Sequence, residues 1–451
     1  MITDTHTRHL FGTDGIRARF GEPPLDRGTV TALAVHLAAT LKERHGAPAV
    51  VLGGDTREST PEICNWLAAG LTAGGVAVHH AGVLPTPGIA FLTHQLGSAA
   101  GVVVSASHNP YPDNGIKLLD GEGYKWSEAE EAALERRMER GAPEAASPSP
   151  EVDPDPTLGE RYLRHLVETV PGNRPLAGLK VVLDTGNGAA SPYAAGLFER
   201  LGAQVVLLHA TPNGRNVNEG CGSTAPEEMA ARVAAEGAHL GAAFDGDADR
   251  CILADERGEV RDGDAILYLW AKSLRDTGHL VPPKIVATSM SNLGLERALA
   301  REGIGLVRCG VGDRYVVEAM RQEGIVLGGE QSGHIVESEL ATTGDGLLTA
   351  LQMAALIARA GKPFSELLAG FRRYPQVLVN VRVARKTAFA QVPRIDEARR
   401  AVEEKLGADG RLLLRYSGTE PLARVMIEGP EQATIDELAH GLAGVIREEL
   451  G

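Results

Sequence analysis

Short runs of Val, Ile, Leu and Ala recur along this chain, each bounded by small or turn-forming residues. PAVVLGGD, VAVHHAG, AGVVVSASHNP, LKVVLDTG, AQVVLLHA, HLGAAFDGD and PKIVATSMS are such runs. Between them TVTALAVHLAATLKERHG, STPEICNWLAAGLTAGG, PTPGIAFLTHQLG, SPYAAGLFERLG and PEEMAARVAAEG read as helices. A strand that is apolar on both faces must be covered on both faces, so the alternation predicts parallel α/β layers. In VVLGGDTRES, VVLDTGNGAAS and IVATSMSNLG a buried strand runs into a small-residue loop, which predicts three related units. Open α/β sheets place their ligands at such loops, at the carboxyl ends of the strands. After residue 375 the pattern changes. QVLVNVRVAR alternates like a half-exposed strand, RLLLRYSGTEPLARVMIEG reads as two strands around a turn, and a helix closes the chain. The expected fold class is α/β, with three related domains of mainly parallel mixed sheets and a smaller C-terminal α+β domain.

The 451 residues suffice for about three or four domains at roughly 150 residues each. The segment GAPEAASPSPEVDPDPTLGE reads as a linker and DERGEVRDGD as a polar junction. Boundaries are therefore expected at 1–158, 159–257, 258–374 and 375–451. A net charge of −14 argues against a general nucleic-acid binder, which needs a field of the opposite sign. No apolar stretch approaches the roughly 20 residues of a membrane span, and the N-terminal segment MITDTHTRHLFGTDGIR lacks a secretory pattern. Cys64, Cys221, Cys251 and Cys309 are scattered, with no CxxC pair. The expectation is a cytoplasmic, reduced protein with no membrane or nucleic-acid partner.

Four segments carry candidate chemistry. In a locally extended backbone, alternate residues point the same way, so Asp245, Asp247 and Asp249 would converge. Unpaired at about 6 Å, each pair would repel by about 3 kcal/mol at an effective dielectric of about 20. A hard divalent cation removes that repulsion, and oxygen-only donors favour magnesium, calcium or manganese. An EF-hand loop would need Gly where this chain has Arg250, and a solvated acidic turn is the other reading. A second DGDA at 262–265 reads as a helix cap. Ser105 and Ser107, with His108, Asn109 and Pro110 and followed by Asp113 and Lys117, would expose a hydroxyl at a strand end. That suits a nucleophile or phosphate carrier, and on spacing alone an Asn-Pro turn is the commoner reading. Arg415, Ser417, Gly418, Thr419 and Arg424 could cradle a phosphate. Glu330, Gln331, Ser332, Gly333 and His334 mix donors and acceptors suited to a polyhydroxylated ligand. P-loop, GxGxxG, HExxH and GxSxG signatures are absent, which disfavours nucleotide kinases, nicotinamide dehydrogenases, zincins and α/β-hydrolases.

Taken in this order, from FGTDGIR (11–17) to SGTEPLARVM, the four segments resemble the α-D-phosphohexomutase superfamily. SASHNP, VGDRYV, GCGST and GEQSGH resemble its amino-sugar branch. Phosphomannomutase/phosphoglucomutase relatives, the alternative, more often show TGSHNP and GEMSGH-like loops. The resemblance implies domains arranged around a central cleft. It implies a phosphorylated Ser107, magnesium on Asp245, Asp247, Asp249 and a phosphoserine oxygen, and sugar contacts from Glu330, Ser332 and His334. It implies that Arg415, Ser417, Gly418, Thr419 and Arg424 hold the phosphate that stays put, while Arg17, His108 and Lys117 flank the reacting one. The implied activity interconverts glucosamine 6-phosphate and glucosamine 1-phosphate through glucosamine 1,6-bisphosphate, feeding UDP-N-acetylglucosamine and cell-wall precursor synthesis. An activating kinase or bisphosphate donor would first load Ser107, and a homodimer is an assembly the family allows. His334 or a basic neighbour such as Arg17 would accept the proton. Arg17, Lys117, Arg250, Arg314, Arg415 and Arg424 would make the cleft locally positive despite the acidic balance.

Overall fold

Three successive stretches of this chain build the same sheet. In the computed structural model of the protein, the described residues are 10–12, 14–139, 152–417 and 420–451. Most of the expected linker at 141–160 lies outside them. In the first sheet Ala49–Gly54 pairs in parallel with Ala77–Val83 and Ala100–Val104, and Asp113–Asp120 then returns antiparallel to Ala100–Val104. In the second, Lys180–Asp184 pairs in parallel with Gln204–Leu208 and Leu240–Phe244, and Cys251–Asp255 returns antiparallel. In the third, Lys284–Thr288 is parallel to Leu327–Gly329, and Ile335–Glu337 returns antiparallel. The first sheet adds Ile16–Arg19 at its edge, the second adds Val260–Arg261, and Gly305–Cys309 edges the third.

The strands behave as their composition dictates. Val50, Val51, Leu52, Val102, Val103 and Val104 are wholly out of solvent, as are Val181, Val182 and Leu183. A continuous aliphatic run leaves no face for water, so helices must lie on both sides. The helices Arg27–Arg44 and Thr60–Ala73 supply Val30, Leu33, Leu37, Ile63 and Leu67 to the core around the first sheet. Asp26, Asp262 and Asp345 each begin a helix by accepting a backbone N–H three residues on. The DGDA at 262–265 is thus a cap, as its composition predicts.

The chain divides into two compact units, Met1–Met290 with Leu306–Leu368, and Ser291–Gly305 with Ala369–Gly451. The smaller unit contains an antiparallel sheet ordered Gln376–Arg382, Leu422–Glu428, Arg411–Tyr416. The helices Pro393–Leu406 and Gln432–Leu450 cover its apolar face through Ile395, Val402, Ile435, Leu438, Leu442 and Ile446. Among the described residues no helix is long and apolar enough to cross a membrane. The four cysteines are free thiols.

Candidate active site

The repeated sheet decides where the chemistry falls. In each of the three sheets the loop of interest joins the last parallel strand to the antiparallel strand that returns beside it. Ser105–His108 follow Ala100–Val104, the carboxylates follow Leu240–Phe244, and Glu330–His334 follow Leu327–Gly329. The return strand carries a second partner back to the site: Lys117 pairs in register with Val103, two residues before Ser105.

Ser107 is held by an unusual backbone. Its φ is 53°, the left-handed region that residues with a β-carbon seldom occupy. The buried guanidinium of Arg57 supports that conformation by donating to the carbonyls of Ser107, Asn109 and Pro110 at 2.8–2.9 Å and to Asp55 Oδ2 at 2.9 Å. Asn218 Nδ2 donates to the Ser107 carbonyl at 2.9 Å, and the Ser107 N–H donates to Ser105 Oγ at 2.9 Å. The two serines are thereby distinguished: the Ser105 hydroxyl is tied to Asp55, whereas the Ser107 hydroxyl donates to Asp245 Oδ2 at 2.6 Å.

Asp245, Asp247 and Asp249 turn inward together. One oxygen from each lies within 4.8 Å of the other two, and all three residues are buried. Lys117 Nζ stands 2.8 Å from Asp247 Oδ2 and 3.4 Å from Asp249 Oδ2, and Thr86 Oγ1 donates to Asp247 Oδ2 at 2.7 Å. Burial and the like charges of Asp249 and Asp247 push the Asp245 carboxyl well above its ordinary value. Burial also works against charge on Asp247, but Lys117 and the Thr86 hydroxyl hold it below the ordinary range. Asp247 Oδ1 and Asp249 Oδ1 are buried and accept no hydrogen bond. Orphaned oxygens on converging carboxylates fit a small hard cation, and magnesium, with its preference for oxygen donors, suits this set.

Beside the trio opens a cavity of about 630 Å³ lined by Gly12, Asp14, Arg17, His108, Asp249, Arg250, Gly312, Asp313, Glu330 and His334, among others. Its wall carries four carboxylates and two guanidinium groups, with Lys117 and Lys125 paired to Asp14 and Asp313 behind it. Arg314, expected among its cations, instead pairs with Glu131 at 2.9 Å and Glu128 at 3.7 Å. Asp14 bridges Arg17, Lys125 and Lys117, the last at 3.4 Å, and Lys125 also pairs with Asp313. Burial opposes the Asp313 charge, yet Lys125 and His334 bring its carboxyl down to about 2. Arg250 Nη1 donates to His108 Nδ1 at 3.1 Å, and burial with Arg250 and Arg17 holds that imidazole below its ordinary value.

The two proton acceptors expected from the sequence, Arg17 and His334, both line this cavity. Arg17 is ion-paired with Asp14 and also donates to Asn109 Oδ1 at 3.3 Å. His334 Nε2 accepts the Gly344 N–H at 3.2 Å, and its Nδ1 is buried. Glu330 Oε1 accepts the Gly312 N–H at 3.1 Å. Ser332 sits exposed at the tip of the same turn.

In the smaller unit Arg415 and Arg424 lie directly opposite each other on paired strands. Arg424 Nη2 donates to Ser417 Oγ at 3.4 Å and pairs with Glu420 at 3.1 Å. Gly418 and Thr419 lie outside the described residues. Burial and the facing charge of Arg424 lower the Arg415 pKa.

Sequence reasoning missed Asp55, Arg57, Thr86 and Asn218, which position the serine and the carboxylates. The signal was present in DTRES, where a polar pair ends a wholly apolar strand, and a buried strand end with charge needs a partner. Asp14 and Asp313 sat inside FGTDGIR and VGDRYV, quoted for their resemblance and not for their charge.

Comparison with known proteins gives the chain a family. Family models for phosphoglucomutase/phosphomannomutase match domain I at residues 8–145, domain II at 160–258, domain III at 262–374 and the C-terminal domain at 378–445. A phosphoglucosamine mutase of Solibacter usitatus is 45% identical over 445 residues, covering 98% of this chain and 99% of the relative. One from Symbiobacterium thermophilum is 46% identical over 446 residues, covering 98% and 99%. Among solved structures, a phosphoglucomutase/phosphomannomutase family protein of Burkholderia thailandensis superposes with a TM-score of 0.80 at 26% identity, covering 97% of each chain. An Aspergillus fumigatus N-acetylphosphoglucosamine mutase, solved with GlcNAc-6P and magnesium, shares the fold with a TM-score of 0.65 at 18% identity, covering 98% of this chain and 96% of that one. Four domain models matched in chain order, together with full-length relatives at this identity, place the chain in the phosphoglucomutase/phosphomannomutase family of the α-D-phosphohexomutase superfamily.

Proposed function

We propose that this chain interconverts glucosamine 6-phosphate and glucosamine 1-phosphate, with Ser107 as the phosphoryl carrier. The observation that carries the reading is the Ser107 hydroxyl, presented on a left-handed backbone 2.6 Å from Asp245 at the head of three converging carboxylates. The full-length relatives named phosphoglucosamine mutase supply the substrate class.

Phosphorylated Ser107 donates to the free hydroxyl of the bound sugar phosphate. A phosphorus–oxygen bond to the sugar forms as the bond to Ser107 Oγ breaks, giving the 1,6-bisphosphate. After the bisphosphate turns over, its other sugar oxygen–phosphorus bond breaks as Ser107 Oγ takes that phosphoryl group, and the serine proton passes to the departing sugar oxygen. Asp245, Asp247 and Asp249, with an oxygen of the phosphorylated Ser107, would hold magnesium, which would supply positive charge beside the group in transit. Lys117, fixed between Asp247 and Asp249, adds a cation that needs no rearrangement during transfer. Arg17 and Arg250 face the cavity and engage the phosphate's outer oxygens. As Arg250 turns to that anion it releases His108 Nδ1, and the imidazole, neutral at pH 7, takes the hydroxyl's proton. Glu330 and His334, which line the same cavity, meet the sugar. Arg415, Ser417 and Arg424 hold the phosphate that stays on the sugar.

A coupled assay comparing glucosamine, glucose and mannose 6-phosphates tests the substrate. The amino sugar should give the highest kcat/KM, and preference for mannose or glucose would reassign the chain within its family. Ser107→Ala should fold normally, lose the mass of one phosphate and show no turnover even with added bisphosphate. Near-normal activity in that variant would end the carrier role.

A further inference from the structure

Away from the aspartate trio, the second sheet brings a carboxylate, an imidazole and a thiol to one point. Asp184 ends the strand Lys180–Asp184, His209 follows the strand Gln204–Leu208, and Cys221 precedes the helix Glu227–Glu236. One donor atom from each lies within 4.8 Å of the other two. Asp184 and Cys221 are fully buried. His209 Nδ1 is 3.1 Å from Asp184 Oδ1 but lacks hydrogen-bond geometry to it, and this buried nitrogen has no hydrogen-bond partner. The His209 backbone is left-handed at φ 46°, held there by Thr185 Oγ1 and Asn187 N–H donating to its carbonyl at 2.7 Å. Strained residues of this kind concentrate at sites with a job to do.

We propose that Asp184, His209 and Cys221 form a second metal site, one for a transition ion such as zinc and distinct from the oxygen-only trio. A thiolate, an imidazole and a carboxylate are the donors zinc takes in sites that keep one position open. Asp184 already accepts the Gly186 N–H at 2.9 Å and the Gly222 N–H at 3.0 Å, one on each oxygen, which orients the carboxylate and leaves lone pairs for a metal. His209 Nε2 lies 3.4 Å from Glu228 Oε2, so the carboxylate that would steady a metal-bound imidazole from behind is in place. Burial, Asp184, Glu219 and Glu228 push the Cys221 thiol up to about 12. The same negative surroundings attract a dication, whose arrival ionises the thiol. On binding, the sulfur–hydrogen bond gives way to a sulfur–metal bond, the proton leaves to solvent, and no electron is transferred.

The site has a consequence for the serine turn. Between His209 and Cys221 lies Asn218, whose Nδ2 donates to the carbonyls of Ser107 at 2.9 Å and Asn109 at 3.3 Å. A metal joining His209 to Cys221 would fasten both ends of the segment that grips the phosphoryl carrier.

Cobalt titration of the full chain tests this. The protein is stripped with a chelator and saturated with magnesium to occupy the trio, and cobalt(II) is then added. One equivalent per chain should produce a thiolate-to-cobalt charge-transfer band in the near ultraviolet with intense tetrahedral visible bands. Cys221→Ser and, separately, His209→Gln should abolish the charge-transfer band or its tetrahedral companions, while Asp249→Asn leaves both unchanged. Zinc should displace cobalt stoichiometrically, and Glu228→Gln should weaken zinc binding about 10- to 100-fold. A pale octahedral spectrum alone, or a charge-transfer band that survives in Cys221→Ser, would overturn the proposal. Because the readout is spectroscopic, it stands or falls independently of the sugar substrate.

Discussion

Gly246 passes so close to Ser107 that a Cβ on it would stand 2.5 Å from the Ser107 carbonyl oxygen. The carboxylate loop and the serine turn are thus packed backbone to backbone, and the spacing between nucleophile and carboxylates is set by a missing methyl group. Gly246→Ala must push them apart. A shift of about 1 Å at a reacting centre is worth roughly 100-fold in rate, so kcat should fall by about that much. Circular dichroism should be unchanged, because the strands of the two sheets that carry these loops pair without this contact.

Chelation should silence the enzyme and magnesium should restore it. Asp247 Oδ1 and Asp249 Oδ1 are buried without a hydrogen-bond donor, and the trio's mutual repulsion is only partly relieved by Lys117. Asp247→Asn should lower magnesium affinity and reduce kcat by at least about 100-fold, the scale of losing one electrostatic stabiliser in an active site. Full activity in excess EDTA would count against the site.

The contrast between these carboxylates and the residues behind them shows what a sequence makes legible. Asp245, Asp247 and Asp249 are readable because three acids at alternate positions after an apolar run repel one another unless a cation or water separates them. The three-unit architecture is readable from aliphatic runs, although the echo among VVLGGD, VVLDTG and IVATSM marks the first parallel strand of each unit and the site loops hang from a later one. Arg57 is not readable. Its role depends on the carbonyls of Ser107, Asn109 and Pro110, some fifty residues on, and no periodicity encodes where a carbonyl will point. The same holds for the charge of the cavity. Counting arginines predicts a positive cleft, but pairing decides which remain available, and Arg314 is committed to Glu131.

Asp345 makes stability depend on pH. It caps the helix Gly346–Ala360 through the Leu348 N–H and accepts the Tyr162 hydroxyl at 2.8 Å, wholly out of solvent. Burial raises its carboxyl to about 6, against about 3.9 for an unfolded aspartate. Below pH 4 the group is protonated in both states and carries no penalty. As pH rises through 4 to 6 the unfolded chain releases the proton more readily, so the folded state loses ground. Asp345→Asn keeps the cap oxygen and removes the charge. Its melting temperature should exceed that of the parent at pH 7.5, and the difference should shrink as pH falls toward 4. A constant difference across that range would refute the assignment.

Arg415 and Arg424 face each other across paired strands, an arrangement that destabilises a sheet unless an anion lies between them. Burial first, and then Arg424, weaken the Arg415 hold on its proton. Inorganic phosphate should therefore raise the melting temperature of the parent. Arg415→Met should be as stable as the parent within about 0.5 kcal/mol in phosphate-free buffer, as for a surface substitution that breaks no buried contact, yet it should lose the phosphate-induced rise. With substrate, the same variant should raise KM about tenfold or more with a smaller change in kcat, because the lost contact is made equally in the ground and transition states. A large fall in kcat at unchanged KM would place Arg415 at the transferring phosphoryl group instead.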